Sequence, residues 1–230
     1  MVKKKIIAII QTRLGSSRLP AKALLELNGK TLFNRVVERV KLSKIIDEIW
    51  IATSNTPSDD LIEMYGKKMD INVYRGSLEN VFERFIEVTK ISQPDYFIRV
   101  TGDNPLTEPS FIDQAIHAII EKNADYVKFI NIPYGTGIEA VRVSSFLELQ
   151  NKKLDEYDKE HVTPFFYKNP SSFKIIQIEP DKELRRSDIR LTIDTLEEYI
   201  FLYKLITSME EKSIALDLRN VISFINKQLT

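Results

Sequence analysis

The 230-residue sequence contains no cysteine. A chain without cysteine has no disulfide framework, no thiolate metal site and no cysteine nucleophile, so these three kinds of site are excluded together. The absence by itself leaves the cellular compartment open.

The chain also lacks an excess of either charge and any long apolar run. Lys and Arg together number 33, as do Asp and Glu, which gives a formal net charge of zero. Because nucleic-acid binders usually carry a basic excess, this balance argues against a polynucleotide partner. No segment reaches the roughly 18 apolar residues of a membrane span, and the first apolar run ends at polar Gln11 with no cleavage site after it. We therefore expect a soluble, cytoplasmic protein with no nucleic-acid partner and no membrane association.

Two widespread nucleotide-binding motifs are missing as well. The chain has neither the G-x-x-x-x-G-K-[ST] loop of many ATP-hydrolysing enzymes nor the G-x-G-x-x-G loop of dinucleotide-binding proteins. Both of those functions lose their main support. The chain is long enough, and at 43% hydrophobic residues apolar enough, to bury a large core, and we predict one domain over residues 1–230.

What is present is an alternation of apolar strands with helices. Residues 5–11 are predicted to form a strand, because residues 6–10 are a continuous apolar run typical of a strand covered on both faces. The same reasoning predicts further strands at 48–53, 71–74, 96–101 and 189–194, and helices at 59–68, 79–91, 109–122, 196–209 and 216–227. Such alternation predicts an α/β fold with a mostly parallel sheet and helices on both faces. Residues 126–143, with Pro133, Gly135 and Gly137, predict extended chain and a turn, which we expect to form a small arm beside the sheet.

The loop after the first strand, QTRLGSSRLPAK, carries the cations Arg13, Arg18 and Lys22. In sheets of this kind ligands bind at the carboxyl ends of the strands, and arginine and lysine are suited to neutralising phosphates there. Ser16 and Ser17 add hydroxyl donors. The same charges are equally expected on a solvated loop without a ligand, so the charge alone leaves both interpretations open.

Two carboxylates follow predicted strands at the same edge of the sheet. Asp103 lies in RVTGDNPLTEP and Asp194 in RLTIDTLEEY. Carboxylates from separate strands can share one Mg²⁺ and leave positions for phosphate oxygens and water. Each also has a structural interpretation, Asp103 as a turn residue and Asp194 in a helix start with Thr195. Capping and metal binding are compatible.

Six segments together resemble a known family. They are QTRLGSSRLPAKALLELNGKTL, DEIWIATSNTPSDD, VYRGSLENVFERF, RVTGDNPL, EHVTPFFYKNP and RLTIDTLEE. In order and in spacing they resemble the sugar-activating cytidylyltransferases, particularly the branch of spore coat polysaccharide biosynthesis protein F and, more distantly, 3-deoxy-manno-octulosonate cytidylyltransferase. The resemblance extends over nearly the whole chain.

The resemblance implies a fold and a reaction. The fold is a doubly wound α/β domain like that of nucleotide-diphospho-sugar transferases. The reaction is attack by a sugar oxygen on the α-phosphorus of CTP with Mg²⁺ as cofactor, which yields a CMP-sugar and pyrophosphate for polysaccharide or glycoconjugate synthesis. Such a site orients the attacking oxygen and stabilises phosphoryl charge. It needs no covalent nucleophile, in agreement with the missing cysteine.

The resemblance also implies roles for individual residues. The implied catalytic residues are Arg13, Lys22 and Asp103, and the implied Mg²⁺ ligands are Asp103 and Asp194. The implied nucleotide-binding residues are Arg13, Ser16, Arg18, Lys22, Ala52, Thr53, Ser54, Arg75 and Gly76. One departure from the family is visible, since relatives commonly have glycine before the loop lysine, in L-P-G-K, where this chain has Ala21.

The acceptor side is less clearly marked. The segment PYGTGIEAVRV lies where related enzymes contact the sugar, so the resemblance implies Glu139 and Arg142 as acceptor contacts. His161 of EHVTP is a third candidate, because a histidine can bond to substrate or transfer a proton. Ordinary surface-strand chemistry explains the first two equally well. A structural histidine that caps a helix next to Pro164 is the alternative for His161.

Other functions stay open at this point. The triphosphate loop does not identify the base, so a nucleotidyltransferase that uses another nucleotide or a phosphorylated small alcohol is one alternative. A catalytically inactive nucleotide-sugar-binding protein is another. Relatives of this kind are often dimers, so a homodimer is also to be expected here, with its contact at residues 133–143.

Overall fold

The computed structural model describes residues 3–228 of the chain. Its strands are β1 (Ile6–Gln11), β2 (Glu26–Leu27), β3 (Lys30–Thr31), β4 (Glu48–Ser54), β5 (Asn72–Gly76), β6 (Tyr96–Thr101), β7 (Tyr126–Phe129), β8 (Glu139–Arg142) and β9 (Ile175–Ile178). Its helices are α1 (Leu32–Lys41), α2 (Asp60–Lys68), α3 (Val81–Ser92), α4 (Pro109–Glu121), α5 (Val143–Glu148), α6 (Glu156–His161), α7 (Pro164–Lys168), α8 (Leu196–Glu211) and α9 (Leu218–Gln228). Within this range, no helix combines the length and the apolar character needed to cross a membrane.

One large sheet organises the chain. Its strand order is β5-β4-β1-β6-β8-β7-β9, and β2 and β3 form a small separate hairpin. Strand β1 pairs in parallel with β4 and β6, and β4 pairs in parallel with β5. Strand β8 runs antiparallel to both of its neighbours, β6 and β7. The predicted α/β class with a mostly parallel sheet is confirmed.

Apolar side chains alternate between the two faces of the sheet and build a core on each. On β1, Ala8 and Ile10 belong to one core, and Ile7 and Ile9 belong to the other. Helices α1, α4, α8 and α9 supply side chains to the first core, and α3 and α5 supply side chains to the second. Since burying one large aliphatic side chain contributes about 1.5–3 kcal/mol, a strand buried on both faces is held firmly in place. The expected helices on both faces are therefore confirmed.

The Ile7 face of the sheet becomes polar at one end. Because side chains alternate along a strand, Gln11 follows Ile9 on this face, Arg99 follows Phe97, and Lys128 follows Tyr126. Strand β8 runs in the opposite direction, so its polar residue on this face, Glu139, precedes Val141. The carboxyl end of the parallel strands thus carries polar groups directly above an apolar core.

The structure differs from the sequence-based prediction in two segments. Residues 189–194 were expected to form a strand, and this prediction is wrong, because they make only one isolated bridge, between Arg190 and Tyr134. The segment bonds to loops instead: the N–H of Leu191 donates to the carbonyl of Tyr134 at 2.7 Å, and that of Ile193 donates to the carbonyl of Asp103 at 2.9 Å.

The second difference concerns the arm expected at residues 126–143. This segment forms β7 and β8, which join the main sheet, and only residues 130–138 between them leave it. Gly135, in that connection, has a φ of +92°, and a Cβ placed on it would lie 2.7 Å from the backbone of Leu191 and Thr192. The connection and the 189–194 segment therefore pack against each other through bare backbone.

Gly135→Ala is expected to destabilise the protein. The left-handed conformation costs an L-residue about 1–2 kcal/mol, and the new methyl group has rigid backbone as its neighbour, so we expect a total loss of about 2–4 kcal/mol. For a chain of this size the melting temperature should fall by roughly 5–15 °C, which thermal unfolding followed by circular dichroism measures. Gly15→Ala is the matched control, because a Cβ at Gly15 meets nothing within 4 Å. Equal melting temperatures for the two variants would contradict this account.

Candidate active site

A cavity of about 770 Å³ opens at the carboxyl end of the parallel strands. Its walls come from the loop after β1, the end of β6, the connection between β7 and β8, and helices α6 and α7. Its floor is the polar end of the Ile7 face, since Gln11, Arg99, Lys128 and Glu139 all line it. A volume of this size suits a small-molecule site, for which roughly 300–1,000 Å³ is usual.

Lys22 connects the two strand-end carboxylates. Its Nζ lies 2.8 Å from Asp194 Oδ1 and 3.2 Å from Asp103 Oδ2, and it donates to the carbonyl of Ile193 at 2.7 Å. The lysine side chain is only 14% exposed, so these contacts are shielded from water. The structure thus brings Lys22, Asp103 and Asp194 together at one point of the cavity.

Asp194 is surrounded by positive charge. Besides Lys22, Arg18 contacts its Oδ1 at 3.0 Å and Arg190 contacts its Oδ2 at 2.9 Å. Burial acts to raise the pKa of Asp194, but the hydrogen bond from Lys22 and the three cations outweigh burial and hold this pKa below its ordinary value. The carboxylate is therefore ionised at neutral pH.

The two carboxylates fit a metal ion shared with a substrate. Oδ1 of Asp103 is buried and has no hydrogen-bond partner in the part of the chain that the structure describes, which leaves an oxygen lone pair for an additional ligand. Within residues 3–228 no group of three or more His, Cys, Asp and Glu residues could hold a metal. Mg²⁺ is commonly bound by one or two carboxylates together with substrate phosphates, and Asp103 with Asp194 matches that donor set.

The loop after β1 is folded around a buried carboxylate. The N–H of Leu14 donates to Asp59 Oδ1 at 2.8 Å, and the carbonyl of Leu14 accepts from the N–H groups of Ser16 and Ala21. Arg13, Ser16, Arg18 and Lys22 all line the cavity. Arg13 forms no hydrogen bond or ion pair with the described residues, so its guanidinium is available to a ligand.

The residues expected to contact the nucleoside lie behind the cavity wall. Thr53 and Ser54 are fully buried, and their hydroxyls donate to Asp59, the same carboxylate that holds the loop. Arg75 is ion-paired with Asp60 and Glu63, at 2.7 Å each. Ala52, Thr53, Ser54, Arg75 and Gly76 are all absent from the cavity lining. Their direct contact with a nucleoside stays a prediction.

The three residues expected to contact the acceptor do not all lie at the cavity. Glu139 and His161 line the cavity, whereas Arg142 does not. Because β8 is antiparallel, Arg142 pairs with Tyr96 at the start of β6, at the end of the strands that lies away from the cavity. There it donates to the carbonyl of Ala124 at 3.0 Å. The strand direction was not visible in the sequence, so Glu139 and Arg142 were expected at one edge.

Glu139 is held by three donors. Arg99 Nη1 lies 2.6 Å away, the hydroxyl of Thr163 donates at 2.8 Å, and the hydroxyl of Tyr126 donates to the other oxygen. Burial acts to raise the pKa of Glu139, yet Arg99 and the hydroxyl donors hold this pKa below its ordinary value. Burial lowers the pKa of His161, which favours a neutral imidazole. Glu139 is thus a fixed anion and His161 a neutral donor or acceptor.

Sequence reasoning missed several cavity residues. Arg99 donates through Nε to Gln11 Oε1 at 2.9 Å and fixes the orientation of that amide. Lys128 lies 4.9 Å above the ring of Tyr167 and has no acid partner among the described residues. Arg84 of α3 also lines the cavity. The alternation of side chains along β1, β6 and β7 would have identified Gln11, Arg99 and Lys128, because each is two residues beyond an apolar residue on the same face.

The segment in which a dimer contact was predicted contributes to the cavity. In the 133–143 segment, residues Pro133, Tyr134, Gly135, Gly137, Ile138 and Glu139 line the cavity. A homodimer stays a prediction.

Comparisons with known proteins agree with this geometry. A family model described as Cytidylyltransferase matches residues 7–222. The spore coat polysaccharide biosynthesis protein SpsF of Bacillus subtilis is 36% identical over 199 residues, which cover 84% of this chain and 83% of that protein. A 3-deoxy-manno-octulosonate cytidylyltransferase of Chloroherpeton thalassium is 31% identical over 173 residues, which cover 74% of this chain and 66% of that protein. The solved structure of a cytidylyltransferase from Leptospira borgpetersenii matches with a TM-score of 0.90 at 27% identity, covering 98% of this chain and 95% of that one.

The residue that departs from the family pattern has a left-handed backbone. Ala21 has φ 55° and ψ 23°, and its N–H and C=O are both engaged, with Leu14 and Leu24 respectively. Glycine adopts this conformation without a steric penalty, and alanine does not. Ala21 therefore adopts the backbone conformation that glycine would favour before Lys22, and this conformation is strained for alanine.

Ala21→Gly is expected to stabilise the protein. Relief of about 1–2 kcal/mol of left-handed strain is partly offset by the flexibility of glycine in the unfolded chain, about 0.5–1 kcal/mol, so the free energy of unfolding should rise by about 0.5–1 kcal/mol. Chemical denaturation measures this change. Ala118→Gly, in the regular helix α4, is the control and should lose about 1 kcal/mol. A loss at both positions would show that Ala21 is not strained.

Proposed function

Because the chain belongs to the cytidylyltransferase family, as its motifs predicted, we propose that it transfers CMP from CTP to a sugar acid and releases pyrophosphate. This reaction would serve polysaccharide or glycoconjugate synthesis. The observation that carries the proposal is the meeting of Lys22, Arg18 and the two carboxylates Asp103 and Asp194 beside the loop after β1.

The loop cations are proposed to bind the triphosphate. Arg13 is already without a protein partner among the described residues, and Arg18 is 63% exposed, so both can turn to phosphate oxygens at little cost. Lys22 is at hydrogen-bond distance from both carboxylates and can bridge them to a phosphate. Arginine offers a planar pair of donors and lysine a point charge, which together suit a chain of phosphates.

Asp103 and Asp194 are the residues that would hold Mg²⁺. When bound, the ion neutralises charge on phosphate oxygens during phosphoryl transfer. The free Oδ1 of Asp103 supports this assignment. The cations around Asp194 keep that carboxylate ionised, and Ile193, whose N–H donates to the carbonyl of Asp103 at 2.9 Å, fixes the spacing of the two loops.

The charge of the acceptor end favours a sugar acid over a phosphosugar. Arg99 is neutralised by Glu139 at 2.6 Å, so Lys128 is the cavity cation at this end that has no acid partner among the described residues. One such cation matches one carboxylate, whereas a phosphate dianion would call for more. Glu139 offers a fixed acceptor for sugar hydroxyls, and Tyr157 and Tyr167, which also line the cavity, offer hydroxyls and aromatic faces.

Asp103→Asn should reduce catalysis without unfolding the protein. The amide cannot supply the negative charge that a metal ligand requires, so pyrophosphate release from CTP, Mg²⁺ and 3-deoxy-manno-octulosonate or a related sugar acid should fall by at least about 100-fold. A coupled pyrophosphate assay measures the rate, and thermal unfolding checks the fold.

Asp113→Asn is the matched control, because Asp113 bonds to Ser43, outside the cavity lining, and should leave the rate unchanged. A wild-type enzyme that releases no pyrophosphate with CTP and any sugar acid would contradict the proposed reaction. Wild-type turnover in Asp103→Asn would contradict the role of the carboxylate.

A further inference from the structure

Two buried arginines of this protein differ in their partners. Arg35 is 4% exposed; it pairs with Glu210 at 2.8 Å and donates from Nε to the carbonyl of Leu27 at 2.7 Å. Arg84 is 2% exposed, and its Nη1 donates to the carbonyl of Ala52 at 3.2 Å. The Nε of Arg84 is buried with no partner, and neither Nε nor Nη2 bonds to any described residue. Arg35 is thus a satisfied structural arginine, and Arg84 is not.

The environment of Arg84 disfavours its own charge. Burial, together with the nearby guanidinium of Arg13, lowers the pKa of Arg84 to about 10, and the carboxylate of Asp59 only partly opposes them. A buried cation without a bonded acid destabilises a folded protein, because its hydration is lost and not replaced. An arrangement of this kind is retained where a ligand supplies the missing acceptors.

The position of Arg84 separates it from Lys22 and the two strand-end carboxylates, and of the loop cations it is Arg13 that lies near it. It lies against the carbonyl of Ala52 at the end of β4, and a Cβ on Gly76, at the end of β5, would lie 2.9 Å from its Cγ. Lys22 with its two carboxylates lies on the other side of β1, towards β6 and the 189–194 segment. Arg84 therefore lines the β4 side of the cavity, which would remain for the nucleoside if the triphosphate bound beside Lys22.

We propose that Arg84 selects cytosine by donating from Nε and Nη2 to the adjacent acceptors O2 and N3 of the base. The inference rests on the proposed use of CTP. Nε–H and one Nη2–H point in parallel from one edge of the guanidinium, which is the fork that pairs with two neighbouring acceptors. Uracil presents O2 beside an N3–H donor, so a donor would face a donor and one buried N–H would stay unpaired.

The test compares dissociation constants for CTP, UTP and inorganic tripolyphosphate, measured by calorimetry with Mg²⁺ on the full chain. In Arg84→Met the preference for CTP over UTP should fall on the order of 10- to 100-fold, with tripolyphosphate binding unchanged. The nucleotide-free melting temperature should not fall, because an uncompensated buried charge has been removed. Arg84→Lys, which keeps the charge but loses the fork, should lose the preference too.

Arg35→Met is the matched control. It removes a buried arginine that has a carboxylate partner, so its melting temperature should drop while its preference for CTP stays. A retained preference in Arg84→Met and Arg84→Lys would overturn the proposal, as would equal losses for CTP, UTP and tripolyphosphate, which would make Arg84 a phosphate ligand. A large drop in the melting temperature of Arg84→Met with an intact preference in Arg84→Lys would identify a structural arginine and overturn it as well. Failure of the wild type to bind CTP would instead contradict the proposed function itself.

Discussion

The contact of Lys22 with Asp103 and Asp194 is the interaction on which the arrangement of the site depends. It joins the loop after β1 to residues 81 and 172 positions away in the sequence, so three segments that share no secondary structure meet at one ammonium group. Opposite charges about 4 Å apart attract by roughly 4 kcal/mol at the effective dielectric constant of a protein surface, before desolvation is counted. The same charges explain why the site suits an anion. In the proposed reaction a triphosphate would compete with the carboxylates for the cations, and a divalent cation would compensate the carboxylates that are released.

The zero net charge of the chain conceals a local excess of cations in the cavity. Arg13, Arg84 and Lys128 line it without an acid partner among the described residues, whereas Arg35 pairs with Glu210 and Arg75 pairs with Glu63 outside it. These three cations surround a space that a nucleotide and a small acceptor would fill. The balance of the whole chain argues against a long polyanion, and the local imbalance favours a small one.

The fold could be predicted from sequence wherever a segment has one dominant pattern. The apolar run of β1 requires burial on both faces. The motifs around Lys22, Asp103 and Asp194 predicted the family and the end of the sheet at which the charged groups lie. Where the structure departs from the expected arrangement, the cause is pairing between distant segments. Residues 189–194 have the composition of a strand, but the N–H groups of Leu191 and Ile193 donate to carbonyls of loops and not to a neighbouring strand. Arg142 and Glu139 lie at opposite ends of β8, and because β8 is antiparallel only Glu139 lies at the carboxyl end of the parallel strands.

The most direct test of the account is the melting temperature of the wild-type protein with CTP, measured with and without Mg²⁺. At about a hundred times its dissociation constant a ligand stabilises a protein by roughly 2.7 kcal/mol, which corresponds to a rise of about 5–10 °C for a chain of this length. The account predicts a rise of this size with CTP that depends on Mg²⁺. An unchanged melting temperature with CTP at every Mg²⁺ concentration would contradict it, because the charges gathered around Lys22 would then have no nucleotide to bind.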